Sequence, residues 1–177
     1  MSNLRLINET NVSSGITSVS ITDVFTSNFD IYQITFSNLK GVTAEDYVDM
    51  SFINSSGSEI TSASYDRAQL LMYSDLAFAE DKKVSQTNFD RFLYLRTFTT
   101  TGNSSAGEIW VFNPYSSSSY TFYLGQGNYQ NTTRIIAPKE IGVLKDTSSV
   151  TGFKLTVEPT GELDTLSVRT YGLRVDS

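Results

Sequence analysis

The stretch from Glu108 to Gly127, EIWVFNPYSSSSYTFYLGQG, places two aromatic runs on either side of a proline and four serines. Both runs are rich in the aromatic and β-branched residues that strands favour. Pro114 has no backbone N–H to donate to a ladder, so we expect the first strand to end there. The polar serines fix the register of the two strands against a one-residue slip. The stretch predicts two adjacent strands whose aromatic side chains point inward.

The same alternation of apolar and other residues continues along the chain in both directions. It is clear in three further segments, at Tyr32, Ile34 and Phe36, at Val48, Met50 and Phe52, and at Phe153, Leu155 and Val157. A period of two is typical of half-buried strands. Turn segments rich in glycine, asparagine and serine separate the runs, among them Asn54–Ser58 and Gly125–Asn128. Strands divided in this way predict an all-β, antiparallel β-sandwich with at most one short helix.

The middle of the chain follows this pattern less closely. We expect two strands joined by a long excursion, with Leu70 and Met72 on one face of the first strand. Phe92 and Tyr94 then belong to the partner strand. The alternative is a short helix around Leu76–Asp81, because this segment contains helix formers.

The chain has 177 residues, which fits one domain. We expect residues 17–177 to form a single β-sandwich domain. Residues 1–16 form either its first strand or an N-terminal arm that adds a strand to a neighbouring molecule. In the second case Leu4, Leu6 and Ile7 contact a partner.

The composition excludes several classes of function. The chain has no histidine and no cysteine, so the usual catalytic triads and structural zinc sites are absent. Its net charge of −6 and its scattered basic residues argue against nucleic-acid binding. No apolar run is long enough for a signal peptide or a membrane span. We therefore expect a protein made in the cytoplasm that binds neither nucleic acid nor a membrane.

Carboxylates on predicted strands are the only candidates for catalysis. Glu108 and Asp49 would serve a glycan hydrolase if they lay across a sugar from each other, about 5–10 Å apart. Charged residues on the water-facing side of a strand are the more ordinary interpretation. No segment matches a calcium or phosphate loop. We therefore expect no enzyme activity, no catalytic residue, no metal and no cofactor.

Tyrosines near the opening stretch are candidates for contact with another molecule. Tyr115 follows the proline, and Tyr129 lies just beyond the second aromatic run. Exposed tyrosine rings stack on sugars and anchor protein partners. A place in the core or at the sheet edge is the alternative for these aromatic residues.

The chain resembles small virion proteins of tailed bacteriophages that infect cyanobacteria and other marine bacteria. The resemblance covers roughly residues 18–175 and includes no catalytic motif. It is one of overall pattern, carried by SVSITDVFTSNFDIYQITFSNL at 18–39, FINSSG at 52–57, VFNPYSSSSYTFYLGQ at 111–126 and YGL at 171–173.

This resemblance implies a jelly-roll-like sandwich that is displayed on the virus particle. The first expectation is a structural protein that decorates the outer capsid as a knob and contacts the major capsid protein or another virion protein. The alternative is a tail-fibre module for host attachment, which recognises a glycan or protein on the host surface. A homo-oligomer such as a trimer, or a monomer seated on the shell, fits either role.

Overall fold

A computed structural model describes residues 3–42, 46–97, 104–130 and 134–174. These residues form eleven strands and one turn of 3-10 helix at Phe92–Tyr94. The strands are β1 (Leu4–Val12), β2 (Ser18–Ile21), β3 (Ile31–Gly41), β4 (Tyr47–Asn54), β5 (Tyr65–Tyr73), β6 (Phe78–Gln86), β7 (Ser105–Phe112), β8 (Thr121–Gln130), β9 (Ile135–Leu144), β10 (Val150–Glu158) and β11 (Leu163–Leu173).

The strands form two sheets of unequal size. The large sheet has eight strands in the order β1-β11-β3-β7-β8-β9-β5-β6, and the small sheet has the order β2-β10-β4. All strand pairs are antiparallel. One continuous core cluster contains residues from both sheets, so the sheets pack face to face. The predicted all-β antiparallel sandwich is confirmed.

The core lies between the small sheet and one face of the large sheet. The nine alternate apolar residues predicted in β3, β4 and β10 are at most 2% exposed. Aromatic rings join the two layers, and the ring centroids of Phe36 on β3 and Phe153 on β10 are 6.5 Å apart. Edge-to-face pairs of this kind add to the free energy gained by burial.

The opening stretch forms β7 and β8, and the connection between them starts as predicted. β7 ends at Phe112, two residues before Pro114, and Pro114 accepts a hydrogen bond from Val150 N–H at 2.8 Å. The prediction that the aromatic residues point inward is wrong for most of them. Tyr123 is buried, whereas Phe122 points away from the core. Alternation fixes which residues share a face, but not which face meets the core.

Gly125–Asn128 does not form the predicted turn, because it lies inside β8. Gly125 faces inward opposite Ile109 of β7. A Cβ atom at this glycine would collide with the backbone carbonyl of Glu108 and with the Ile109 side chain. Glycine is required here for the close approach of two strands, not for a change of direction.

The middle of the chain is a hairpin of β5 and β6, and no helix forms around Leu76–Asp81. Leu70 and Met72 share one face of β5, as predicted, and the structure shows that this face points outward. The placement of Phe92 and Tyr94 in a partner strand is wrong, because they lie in the 3-10 turn. The segment around this turn runs beside β4, where Met50 and Phe89 form an isolated bridge.

The N-terminal segment pairs with β11 at one edge of the large sheet. Leu4 lies opposite Leu173, and Leu6 lies opposite Tyr171. This edge is the end of the sheet farthest from β6.

Candidate functional site

The small sheet covers only one face of the large sheet. Side chains of β8 alternate between buried and exposed along its whole length. Phe122 and Leu124 point away from the core, and the described residues contain no further layer on that side. This second face of the large sheet is the outer face.

Two neighbouring rows of apolar side chains cross the centre of the outer face. Strand register places Phe112, Phe122 and Val143 side by side on β7, β8 and β9. The next row holds Trp110, Leu124 and Ile141 on the same strands. These six residues form the apolar block.

The apolar block is in contact with water in the isolated chain. Phe122, Leu124 and Ile141 are 47%, 48% and 63% exposed. Aromatic side chains bury about 150–250 Å² when they are fully covered. With a value near the lower end of this range for leucine and isoleucine, these three residues leave on the order of 300 Å² of apolar surface exposed. A patch of this size is comparable to the largest apolar patch on a typical monomer, which is often a functional surface.

The outer face also carries shallow concavities. Three of them, of about 790, 520 and 430 Å³, open on this face. The one of about 520 Å³ lies between Phe122 and Leu124 of the block and Val84 of β6, and its lining is almost entirely apolar. Open, apolar hollows of this shape fit the side chains of another protein surface.

A row of polar side chains borders the block. Register places Glu108, Gln126 and Lys139 side by side on β7, β8 and β9. Glu108 accepts hydrogen bonds from the side-chain amides of Gln33 at 3.0 Å and Gln126 at 3.1 Å. These hydrogen bonds fix the position of the Glu108 side chain on the face, next to the apolar rows.

A buried polar network supports the block from the inner side of the sheet. Glu140, next to Ile141 on β9, accepts hydrogen bonds from Leu93 N–H at 3.0 Å and from the side chains of Gln69 and Tyr123. Burial is the largest influence on this carboxyl and raises its pKa to about 7. The network ties the segment of the 3-10 turn to β5, β8 and β9, so the strands that carry the block are packed from behind.

The two carboxylates considered for glycan hydrolysis do not form a site together. Glu108 lies on the outer face of the large sheet, whereas Asp49 belongs to the small sheet. Asp49 accepts hydrogen bonds from Arg91 N–H at 2.8 Å and Asn88 at 3.0 Å. Burial raises its pKa to about 6. The arrangement explains Asp49 as an anchor for the segment at 88–91, on a different sheet from Glu108.

The five residues predicted to contact a partner are dispersed. Leu4 is half-buried on β1, and Leu6 is 49% exposed on the same side of the sheet as the block. Ile7 packs against the core. Tyr115 is exposed in the connection between β7 and β8, and Tyr129 is 3% exposed. Leu4 and Leu6 lie on the outer face near its β1 edge, because strand register continues the Phe112 row of the block to Leu4 and the Trp110 row to Leu6.

Tyr129 belongs to a small aromatic cluster at the far end of β8. It packs with Ile136, Tyr73 and Tyr94, and its ring centroid is 6.0 Å from that of Tyr94. The guanidinium of Arg96 lies 5.9 Å from the Tyr129 ring centroid. Its position indicates a structural role for Tyr129 within the fold.

Sequence reasoning missed the block, although a signal for it exists. In β7 the segment Ile109–Phe112 is apolar on both faces, and in β8 the same holds for Phe122–Leu124. Strands that are apolar on both faces are typical of sheets covered on both sides. The large sheet is covered on one side only, so the second apolar face has no partner within the described chain.

Comparison of the chain with protein-family models, with curated proteins and with solved structures finds no match. Within the described ranges, no group of three or more Asp or Glu residues is arranged to hold a metal ion. The described residues also include no helix that is long and apolar enough to cross a membrane.

Proposed function

We propose that this chain is a structural, non-catalytic protein of a tailed-phage virion and that it decorates the outer surface of the capsid. The observation that supports an assembly role is the outer face, where the apolar block is exposed in the isolated chain. The resemblance of residues 18–175 to small virion proteins supports the particle of a tailed phage as the place of this assembly.

The make-up of the outer face favours contact with a protein over contact with a small substrate. Apolar and aromatic side chains lie at its centre, and charged groups border them, which is the usual arrangement of a protein interface. Its concavities are open and shallow, and the one of about 520 Å³ beside the block has an almost entirely apolar lining, whereas ligand pockets are deep and combine an apolar lining with a few converging polar groups. The partner that we propose for this assembly is the major capsid protein, another virion protein or a further copy of the chain.

The second candidate is a tail-fibre module that recognises a glycan or protein of the host surface. The observation that favours it is the exposure of Tyr115 and Tyr120 in the connection between β7 and β8. Tyrosine rings in this position can stack on sugar rings. Binding of host polysaccharide that is lost in a Tyr115→Ala, Tyr120→Ala variant would favour this candidate.

Localisation of the chain in the virion tests the proposal. Purified particles of a phage that encodes this chain should contain it by mass spectrometry, and cryo-electron microscopy should place it at regular positions on the capsid lattice. Density at the tail alone would replace capsid decoration by the second candidate. Absence of the chain from particles would refute both roles.

A further inference from the structure

We infer that the outer face of the large sheet pairs with the same face of a second copy of this chain, around a two-fold axis that runs parallel to β8. The inference deepens the proposed function and rests on it in one respect, namely that the outer face serves assembly. Three properties of the face identify a second copy of the chain as its partner: its area, its apolar rows and the placement of its charges.

The area of the face suits a stable pair. Adjacent strands are about 4.8 Å apart and each residue advances a strand by about 3.4 Å, so the five strands from β3 to β5, which are centred on β8, span roughly 24 Å by 30 Å. The resulting area of about 700 Å² per copy is close to the roughly 800 Å² per partner of a standard protein interface. Two such faces therefore meet over enough surface without a third partner.

The apolar rows match each other under this symmetry. A two-fold axis along β8 exchanges the flanking strands, so β7 of one copy lies over β9 of the other. Trp110 then lies opposite the partner's Ile141, and Phe112 lies opposite the partner's Val143. Leu124, on the axis, meets its own counterpart. Each copy covers the apolar block of the other, as in aligned packing of two sheets.

The charges also match under the same symmetry. Glu108 on β7 and Lys139 on β9 lie in the same row, so each faces the opposite charge on the other copy. In that row Arg169 on β11 comes to lie opposite the partner's Glu80 on β6. Each pairing occurs twice in the dimer, because a two-fold interface is self-complementary.

The distribution of charge over the molecule favours this face over others. The whole chain carries a net charge of −6, so two copies repel each other over most of their surface. The polar row on the outer face carries Glu9, Glu108 and Glu80 against Lys139 and Arg169, so three carboxylates and two cations leave it close to neutral, and Arg169 also pairs with Glu9 at 3.0 Å. Within the described part of the chain, Lys139 and Glu80 have no ion-pair partner.

Charge reversal tests the inference. Interfaces of this size have dissociation constants no weaker than about micromolar. The mass of the wild-type chain is therefore measured by sedimentation and light scattering at up to about 100 μM, well above that value. We expect twice the mass of one 19.6 kDa chain. Glu108→Lys or Lys139→Glu alone sets like charges opposite each other and should weaken the dimer by about tenfold or more. The double variant Glu108→Lys, Lys139→Glu restores opposite pairs and should recover most of the affinity.

Controls separate assembly from folding. Asp164→Lys introduces the same change of charge at an exposed position outside the row and should leave the dimer unchanged. Circular dichroism of every variant verifies the β-sheet fold. A monomeric wild type, a trimer mass, or a double variant as weak as the single variants would overturn the inference. A monomer that is still found on the capsid overturns only the dimer, whereas a dimer that is absent from particles overturns only the proposed function.

Discussion

Replacement of Glu140 by glutamine removes a negative charge from the interior while its hydrogen bonds can be kept. In the wild-type chain both carboxylate oxygens accept hydrogen bonds, one from Leu93 N–H and Gln69, the other from Tyr123. A glutamine amide can accept the first two and donate to the Tyr123 hydroxyl, which is able to act as an acceptor. The variant therefore isolates the contribution of the charge.

The magnitude follows from the pKa of this carboxyl. Burial raises the pKa from 4.5 to about 7 in the folded chain. Between these values the folded state binds a proton that the unfolded state does not, so the free energy of unfolding rises as the pH falls through this range. At about 1.36 kcal/mol for each unit of pKa, the rise in stability from about pH 8 to about pH 4.5 is on the order of 3 kcal/mol. Asp49, whose pKa is raised to about 6, acts in the same direction.

Urea unfolding at a series of pH values measures this effect, followed by the fluorescence of Trp110, the single tryptophan of the chain. All samples have one low protein concentration, because association would shift the apparent stability. The wild type should gain stability from about pH 8 to about pH 5, and Glu140→Gln should lose most of this slope and be the more stable chain at high pH. Glu140→Leu, which leaves buried donors without acceptors, should be less stable at every pH.

Two results would refute this reasoning. One is a wild type that becomes less stable between about pH 8 and about pH 5, since the raised pKa values of Glu140 and Asp49 require the opposite sign. The other is a Glu140→Gln variant with the same slope as the wild type. Carboxyl groups with lowered pKa values, such as Asp66 beside Lys145, destabilise the fold only at lower pH.

Three further predictions concern the stability of the sandwich. Phe153→Ala should reduce the free energy of unfolding by about 3–5 kcal/mol, because the fully buried ring of Phe153 joins the two sheets. Phe78→Ala, at a mostly exposed position, is the control and should cost less than about 1 kcal/mol in the same urea titration. Tyr65→Phe should cost about 1–3 kcal/mol, because the Tyr65 hydroxyl accepts from Phe52 N–H at 3.0 Å and donates to the Ile60 carbonyl at 2.8 Å; an unchanged thermal midpoint would contradict this. Lys154→Ala removes a partly exposed ion pair with Glu59 and should change stability by less than about 1 kcal/mol. A larger loss in thermal unfolding would show that the pair is a major contact.

The sequence was sufficient to predict the strands and much of the core. Phe153, Leu155 and Val157 alternate with polar residues, so a single period identifies both the strand and its buried side. Pro114 and the serines after it marked the connection between β7 and β8 for a chemical reason, the missing N–H donor. These signals are local, and the fold preserves them.

The sequence was not sufficient where contacts between distant parts of the chain determine which side of a strand is buried. β7 is apolar on both faces, and the choice of Val111 over Trp110 for the core depends on where a distant small sheet lies. The segment with Phe89, Phe92 and Leu93 shows no period, because it is buried by its position beside β4 and above the large sheet. Gly125 resembles a turn residue in sequence, yet it permits close packing inside β8.

The candidate site could be predicted only in part. Leu6 was proposed as a contact residue and lies on the outer face, at some distance from the block. Tyr129 was proposed because it follows an aromatic run, but strand alternation directs it into a buried cluster. The block itself joins residues of three strands, and that grouping follows from strand register, which a single sequence does not specify.

The rate of chemical labelling at Leu124 tests the central claim, that the outer face is an assembly surface, most directly. The chain has no cysteine, so a Leu124→Cys variant carries one thiol at the centre of the apolar block, and Asp164→Cys provides a matched exposed control. We predict that a maleimide modifies the thiol at position 124 slowly in concentrated protein and rapidly after dilution, while the control position reacts rapidly throughout. Equal and rapid modification of both positions at every concentration, and again with the assembled particle, would contradict the account.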